Sequence, residues 1–159
     1  MNDSWSAIAA MPIPDDWRFA VRCQDGVVAE TEFLSASSPL LLPRDDCARA
    51  ALVAMEDYFL YADKPFVLSL APVGTPFQQR VWRSLQAIPA GQPRSYGVLA
   101  AELGSSARAV AAACRANPIP LFIPCHRVVA AHGLGGFMGA ASGTPLRLKN
   151  WLLEHEAKI

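Results

Sequence analysis

The chain has 159 residues, 52% of them apolar, enough to bury a core as one domain or two small ones, which excludes a disordered tail. Asp3, Asp15 and Asp16 interrupt the apolar residues near Met1, and no apolar run reaches membrane-spanning length, so neither a secretion signal nor a membrane anchor is expected and the protein is read as cytoplasmic. The formal charge of zero divides unevenly: five basic against eleven acidic residues before Thr75 leave −6, and nine against three from Thr75 onward leave +6, so the C-terminal half suits a polyanion.

Phe19–Cys23 and Val27–Phe33 read as strands, joined at Asp25-Gly26 by a tight turn that needs positive φ. Pro43 precedes a helical pattern over Arg44–Tyr61, with Ala50, Leu52, Val53, Met55, Tyr58 and Phe59 as its apolar positions, and Phe66–Leu70 reads as a short strand. These elements make a small α/β unit over residues 1–73. Pro72, Gly74 and Pro76 then punctuate the chain and open a second domain over 74–159.

In that second domain Phe77–Ala87 has helical spacing, and Ser95–Leu103 and Ser106–Ala116 form two short helices joined at Gly104, with serine available as N-cap. This is the outline of a helix-turn-helix. The second helix carries Ala107, Ala109, Ala111, Ala112, Ala113 and Ala116, with Arg108 near its start and Arg115 near its end. So little bulk lets a backbone approach another surface closely, although it equally suits a tightly packed internal helix. Pro145–Glu156 closes the chain as a helix with Leu146, Leu148, Trp151 and Leu152 as its apolar stripe.

The four cysteines (Cys23, Cys47, Cys114, Cys125) include no Cys-x-x-Cys pair, and His126, His132 and His155 all lie in the last third. In a cytoplasmic chain this predicts reduced thiols and neither a disulfide framework nor a zinc ribbon. Cys125 and His126 stand side by side between the apolar runs Ile119–Pro124 and Val128–Val129. An ordinary thiol is only about 3% thiolate at neutral pH, so a nucleophilic cysteine needs a base, a cation or helix N-terminal dipoles. His126 and Arg127 are the candidates. Neighbouring side chains need not face one another, so a bridging water serves as well as direct transfer, and Glu154 or Glu156 could orient the imidazole.

From Thr75 to Glu156 the chain resembles the O6-alkylguanine-DNA alkyltransferases. The resemblance is carried by Pro124-Cys125-His126-Arg127-Val128-Val129, Asn117-Pro118, Leu134-Gly135-Gly136-Phe137, Phe77-Gln78-Gln79-Arg80-Val81-Trp82, Arg94-Ser95-Tyr96-Gly97, Ala107-Arg108-Ala109-Val110 and Lys149-Asn150-Trp151-Leu152-Leu153-Glu154-His155-Glu156. The first 70 or so residues match only in their order of strands and helix. The resemblance implies a two-domain α/β (α+β) fold: an N-terminal ribonuclease H-like α/β unit, then a winged-helix-like helical domain containing the helix-turn-helix.

It also implies a reaction without cofactor, in which Cys125 takes an alkyl group irreversibly from O6 of guanine, or O4 of thymine, in duplex DNA. His126 would act through a water, with Glu156 orienting its ring. Tyr96 would donate to guanine N3, and Asn117 would brace the turn before the acceptor. The target nucleotide is inaccessible in a duplex and must be rotated out. Arg108 would enter the base stack from the minor groove, where the small Ala107 and Ala109 allow close approach. Arg94, Ser95 and Arg115 belong to the same DNA-facing set, the arginines as phosphate contacts or solvated charges. Val128, Phe137, Met138 and Gly139 would form the substrate pocket, and the protein would be a monomer.

Phe137 stands where tyrosine is common, and Ala140-Ala141 replaces a glycine-rich continuation, which bears on pocket size and alkyl range. Some relatives hold structural zinc in the N-terminal domain; with no histidine before His126, no metal site is expected, and Cys23 and Cys47 are read as buried apolar residues. Three alternatives stay open: a lesion-recognition protein that does not react, a Cys-His hydrolase of small molecules, and a helix-turn-helix regulator, which should be dimeric.

Overall fold

The computed structural model describes residues 5–158. They form two compact units, one reaching to Val73 and including Pro118–Pro120, the other holding Gly74–Asn117 and the chain from Leu121. In the first, strands β1 (Ala7–Ala10), β2 (Arg18–Gln24) and β3 (Val27–Leu34) form an antiparallel sheet in the order β1-β2-β3. The β2–β3 reversal falls on Asp25 and Gly26, both at positive φ (53° and 79°), the geometry a two-residue hairpin needs to match strand twist. β1 has no counterpart in the sequence reading, because Ala-Ile-Ala-Ala offers no alternation and alanine favours helices. It is held by the sheet itself, with Ile8 packing beside Trp5 and Ala20.

Helix α1 (Asp46–Leu60) starts where Asp45 accepts a hydrogen bond from Ala48 N at 2.7 Å, the capping that an aspartate at this position provides. Its buried face is Ala48, Ala51, Met55 and Tyr58, whereas Val53 is exposed. The strand expected over Phe66–Leu70 does not form: only Leu70 bridges Val28, through Val28 N–H to Ser69 O and Ala71 N–H to Val28 O, both at 2.9 Å. Pro65 and Pro72 bracket this segment, and a proline has no N–H to give to a ladder.

Cys23 and Cys47 also depart from expectation. They are half-buried and joined as a disulfide, with Cα atoms 6.3 Å apart. The hairpin brings the end of β2 beside the first turn of α1, a juxtaposition concealed by a sequence separation of 24. The Asp45 carboxylate lies within 4.8 Å of both sulfurs, but the sulfurs are bonded to one another and the carboxylate caps α1.

In the second unit, Thr75 and Gln78 cap α2 (Pro76–Gln86) reciprocally, at 3.1 and 2.9 Å. Ser95 caps α3 (Tyr96–Leu103), Gly104 ends it at φ 64°, and Ser106 caps α4 (Ala107–Arg115), so the two short helices form as expected. The buried Trp82 donates from Nε1 to Ala113 O at 2.9 Å, fixing α2 to α4. α4 buries Val110, Ala113 and Cys114 and exposes Ala107, Arg108, Ala112 and Arg115, so its alanines serve both a packed and a free face. A short parallel pairing of β4 (Arg94–Ser95) with β5 (Val128–Val129) sets Tyr96 beside the 3₁₀ turn Cys125–Arg127. The last helix, α5 (Thr144–Ala157), buries Leu148, Lys149, Leu152 and Glu156. Trp151, expected in the apolar stripe, is only half-buried and stacks on His155 at 5.0 Å, while two charged residues occupy the interior face.

Candidate active site

Cys125 is 8% exposed and opens the 3₁₀ turn at the base of a cavity of about 130 Å³. Tyr96, Phe137, Met138 and Gly139, all anticipated, line it with Gly136 and Ala140, and α4 contributes Ala111, Cys114 and Arg115. Arg108, Ala111 and Arg115 fall on one face of α4 at helical spacing, with both arginines exposed and Ala111 and Arg115 lining the cavity. Cys114 is a pocket residue that sequence reasoning missed; lying 11 positions before Cys125, it carries no local signal of sharing its cavity.

His126 is fully buried and its Nε2 meets Glu156 Oε2 at 2.6 Å. Arg127 reaches the same carboxylate, Nε to Oε1 at 2.9 Å and an η-nitrogen to Oε2 at 3.2 Å, and its other η-nitrogen donates to Ile88 O at 2.8 Å. Burial opposes the charge on Glu156, but the charges and hydrogen bonds of His126 and Arg127 hold its pKa down at about 2. An ionised carboxylate only accepts, so Nε2 carries the imidazole proton and Nδ1 is left with a lone pair. Burial lowers the His126 pKa, with Glu156 pulling the other way, so the ring is neutral at neutral pH. Nδ1 is buried without a hydrogen-bond partner among the described residues. Of the two acids weighed from sequence, Glu156 is therefore the partner, while the exposed Glu154 accepts from Asn150 at 3.0 Å.

Burial pushes the Cys125 thiol pKa up, a hydrogen bond from Asn117 and the nearby Lys149 charge drawing it back down. The resting group is thus a thiol, in contrast to a nucleophile activated by a depressed pKa. Asn117 donates from its side chain to Ile123 O at 2.8 Å and from its backbone to Cys114 O at 3.2 Å, joining the end of α4 to the segment before Cys125. Burial, and then the two cysteines, push the Tyr96 hydroxyl up to about 12, so it remains a donor.

Three expected site residues are placed differently. Val128 is fully buried and does not line the cavity; its carbonyl accepts from Lys149 at 2.7 Å. Arg94 pairs with Glu102, near the end of α3, instead of standing as an unpaired charge. The Ser95 hydroxyl is engaged in capping, accepting from Val98 N at 3.1 Å. Lys149 has no individual signal in the sequence, although its heptad spacing from Glu156 puts both on one face of a helix.

A buried thiol at the base of a cavity, a neutral imidazole held by a carboxylate and a phenol that keeps its proton are brought together in this unit. The chain belongs to the O6-methylguanine-DNA methyltransferase family: residues 76–158 match the family described as 6-O-methylguanine DNA methyltransferase, DNA binding domain. It is 51% identical over 95 residues to a methylated-DNA–protein-cysteine methyltransferase of Salmonella typhimurium, a match spanning 58% of this chain and 53%, about half, of that relative. A Methanosarcina mazei protein of the same name is 39% identical over 131 residues, covering 78% of this chain and 80% of its own. Among solved structures, the Mycobacterium tuberculosis O6-methylguanine methyltransferase superposes with a TM-score of 0.78 at 31% identity, over 95% of this chain and 92% of that one. The Mycobacterium tuberculosis OGT in complex with DNA gives 0.77 at 31% identity, over 95% and 93%.

Proposed function

We propose that the protein repairs duplex DNA by transferring an alkyl group from O6 of guanine, or O4 of thymine, to Cys125, once per molecule. The observation that carries this reading is the Cys125-His126-Glu156 arrangement, with a neutral imidazole whose free nitrogen faces no protein partner among the described residues. The Cys125 sulfur–carbon bond forms as the carbon–O6 bond breaks. The thiol proton passes through a water to His126 Nδ1, and guanine leaves with the electron pair, accepting a proton or hydrogen bond at N3 from Tyr96. The product thioether has no ready leaving group, so the thiol is not regenerated. No cofactor enters the reaction.

The nucleotide is rotated out of the stack into the cavity, with Arg108 taking its place from the minor-groove side and α4 lying close through Ala107 and Ala109. The backbone of Met138 contributes to reading the base edge. We read residues 1–73 as a ribonuclease H-like domain and 74–159 as a winged-helix-like domain, in a monomeric cytoplasmic protein whose contacts are mostly to phosphates and so sensitive to salt.

The test is peptide mass spectrometry after incubation with duplex DNA containing O6-methylguanine, beside a Cys125→Ser control. Trypsin releases Ala116–Arg127 with Cys125 as its one cysteine, while Cys114 leaves on Ala109–Arg115. A methyl increment confined to the first peptide and absent from the control is expected. Lesion binding without any increment would make the chain a recognition protein, and turnover without DNA would make it a hydrolase.

A further inference from the structure

α5 carries a second charged group that the proposed chemistry does not use. Lys149 is fully buried, and its ammonium donates to three carbonyls: Leu134 at 2.6 Å, Val128 at 2.7 Å and Gly136 at 3.0 Å. An ammonium has three protons to give, and a buried one is tolerated only when they are taken; here all three have acceptors. Those acceptors come from two places, the strand that follows the Cys125 turn and the segment 134–136 that leads into the cavity wall at Gly136. Between the carbonyls of Leu134 and Gly136 lies Gly135, at φ 74°, packed so closely on Tyr96 that a Cβ there would stand 2.9 Å from the ring carbon Cε2. The ammonium itself is 5.7 Å from the centroid of the Tyr96 ring.

Lys149 does not line the cavity, so whatever it does there it does through other residues. An apolar side chain of the same length would fill the space but leave three inward carbonyls without donors. Burial lowers the Lys149 pKa to about 8, which marks what it costs to keep a charge in this position.

We propose that Lys149 is a positioning residue of the acceptor pocket, tying the wall at residues 134–136 to β5 and thereby seating the Tyr96 ring opposite Cys125. One rigid helix then sets two parts of the site, with Glu156 orienting the imidazole and Lys149, two turns earlier on the same face, holding the wall. The kinetic consequence rests on the alkyl-transfer reading; the clamp itself does not.

The experiment compares the full-length protein with Lys149→Met, Tyr96→Phe and the double variant, after thermal melting has established that each folds. Amide hydrogen exchange is expected to quicken in residues 130–140 of Lys149→Met and to stay unchanged in α2. Single-turnover methyl transfer from O6-methylguanine duplex should fall by about tenfold or more at saturating DNA, as loss of alignment does, with the half-saturating concentration held within about twofold. The double variant should be little slower than the slower single one, because the clamp acts by aligning the hydroxyl that Tyr96→Phe removes. Unchanged exchange at 134–136, transfer at the full rate, a loss confined to the half-saturating concentration, or additive losses would each overturn the proposal. A wild-type protein that transfers nothing while Lys149→Met still quickens exchange would overturn the chemistry and leave the clamp standing. If Lys149→Met does not fold, Gly135→Ala decides, since it presses a methyl onto Tyr96 with Lys149 intact: slowed transfer is expected, and full-rate transfer refutes the idea.

Discussion

Each unit contains two cysteines, and their surroundings give them opposite chemistry. Cys23 and Cys47 are half-buried, meet across the end of β2 and the start of α1, and are joined. Cys114 and Cys125 are both buried, line one cavity and are both free. Even within that pocket the thiols differ: burial, then the proximity of Cys125, pushes Cys114 up to about 12, whereas Cys125 receives a hydrogen bond from Asn117 and is followed in the chain by a neutral imidazole. Residue type is the same throughout, and reactivity follows from the partners each sulfur is given.

The comparison breaks most directly at the acceptor. Cys125→Ser is expected to abolish transfer, since serine's oxygen is a far weaker nucleophile without a strong base, while Cys114→Ser should still yield methylated protein with the methyl on Ala116–Arg127. Methylation found on Ala109–Arg115 instead would reverse the roles assigned to the two pocket thiols.

Glu156→Gln sharpens the contrast between a thiol with a held base and one without. It removes the charge that fixes the His126 tautomer and leaves Arg127 buried without a counterion, so transfer should slow by about 100-fold or more. Stability should fall by about 3–5 kcal/mol, the usual cost of breaking a buried pair. Denaturant melts and single-turnover rates check the two effects separately, and a variant of unchanged rate would remove the carboxylate from the proton path.

What is legible locally is the adjacency of Cys125 and His126; Tyr96, Asn117 and the preference for Glu156 over Glu154 rest on the resemblance carried by several separated motifs. What escapes a linear reading depends on distance along the chain. The Cys23–Cys47 bond needs the hairpin and α1 to be in place. Cys114 reaches the cavity only because α4 ends beside the Cys125 turn. Lys149 looks like a surface residue until its three acceptors, supplied by a loop and a strand, are known. β1 and the single bridge at Leu70 escape for a related reason, since pairing in a sheet is decided by neighbours as much as by local propensity.

Acid separates the two units again, because the buried titrating network of Glu156 and His126 lies in the second. Glu156 titrates near 4.5 when unfolded and about 2 when folded, so its stabilisation is present above pH 4.5 and is lost as the pH falls through the folded value, about 3 kcal/mol in all. His126, whose folded pKa lies below its unfolded 6.5, acts in the same direction, since the unfolded chain binds a proton there that the folded one does not. The melting temperature should therefore decline below about pH 6.5 and more steeply below about 4.5. Glu156→Gln should lose the steeper part, and an unchanged acid profile in that variant would contradict the assigned network.

In the first unit the corresponding perturbation is reduction. The Cys23→Ser/Cys47→Ser variant should lose about 2–4 kcal/mol, the typical contribution of such a cross-link, and retain methyl transfer on Cys125. A transfer defect without a stability defect would tie these cysteines to the reaction instead.

The smallest effect is expected at Arg94, and it distinguishes a placed charge from a free one. Arg94 is paired with Glu102 on the surface of α3, where an ion pair contributes about 0.2–1 kcal/mol, and an arginine so engaged releases few counterions from DNA. Arg108, exposed at the start of α4, has no such tie among the described residues. Arg108→Ala should thus weaken lesion-duplex binding and slow transfer, whereas Arg94→Ala should leave the slope of log affinity against log salt nearly unchanged. A slope reduced by about one in Arg94→Ala would mean that Glu102 releases this arginine to a phosphate on binding, and that the ion pair of the free protein is a resting position.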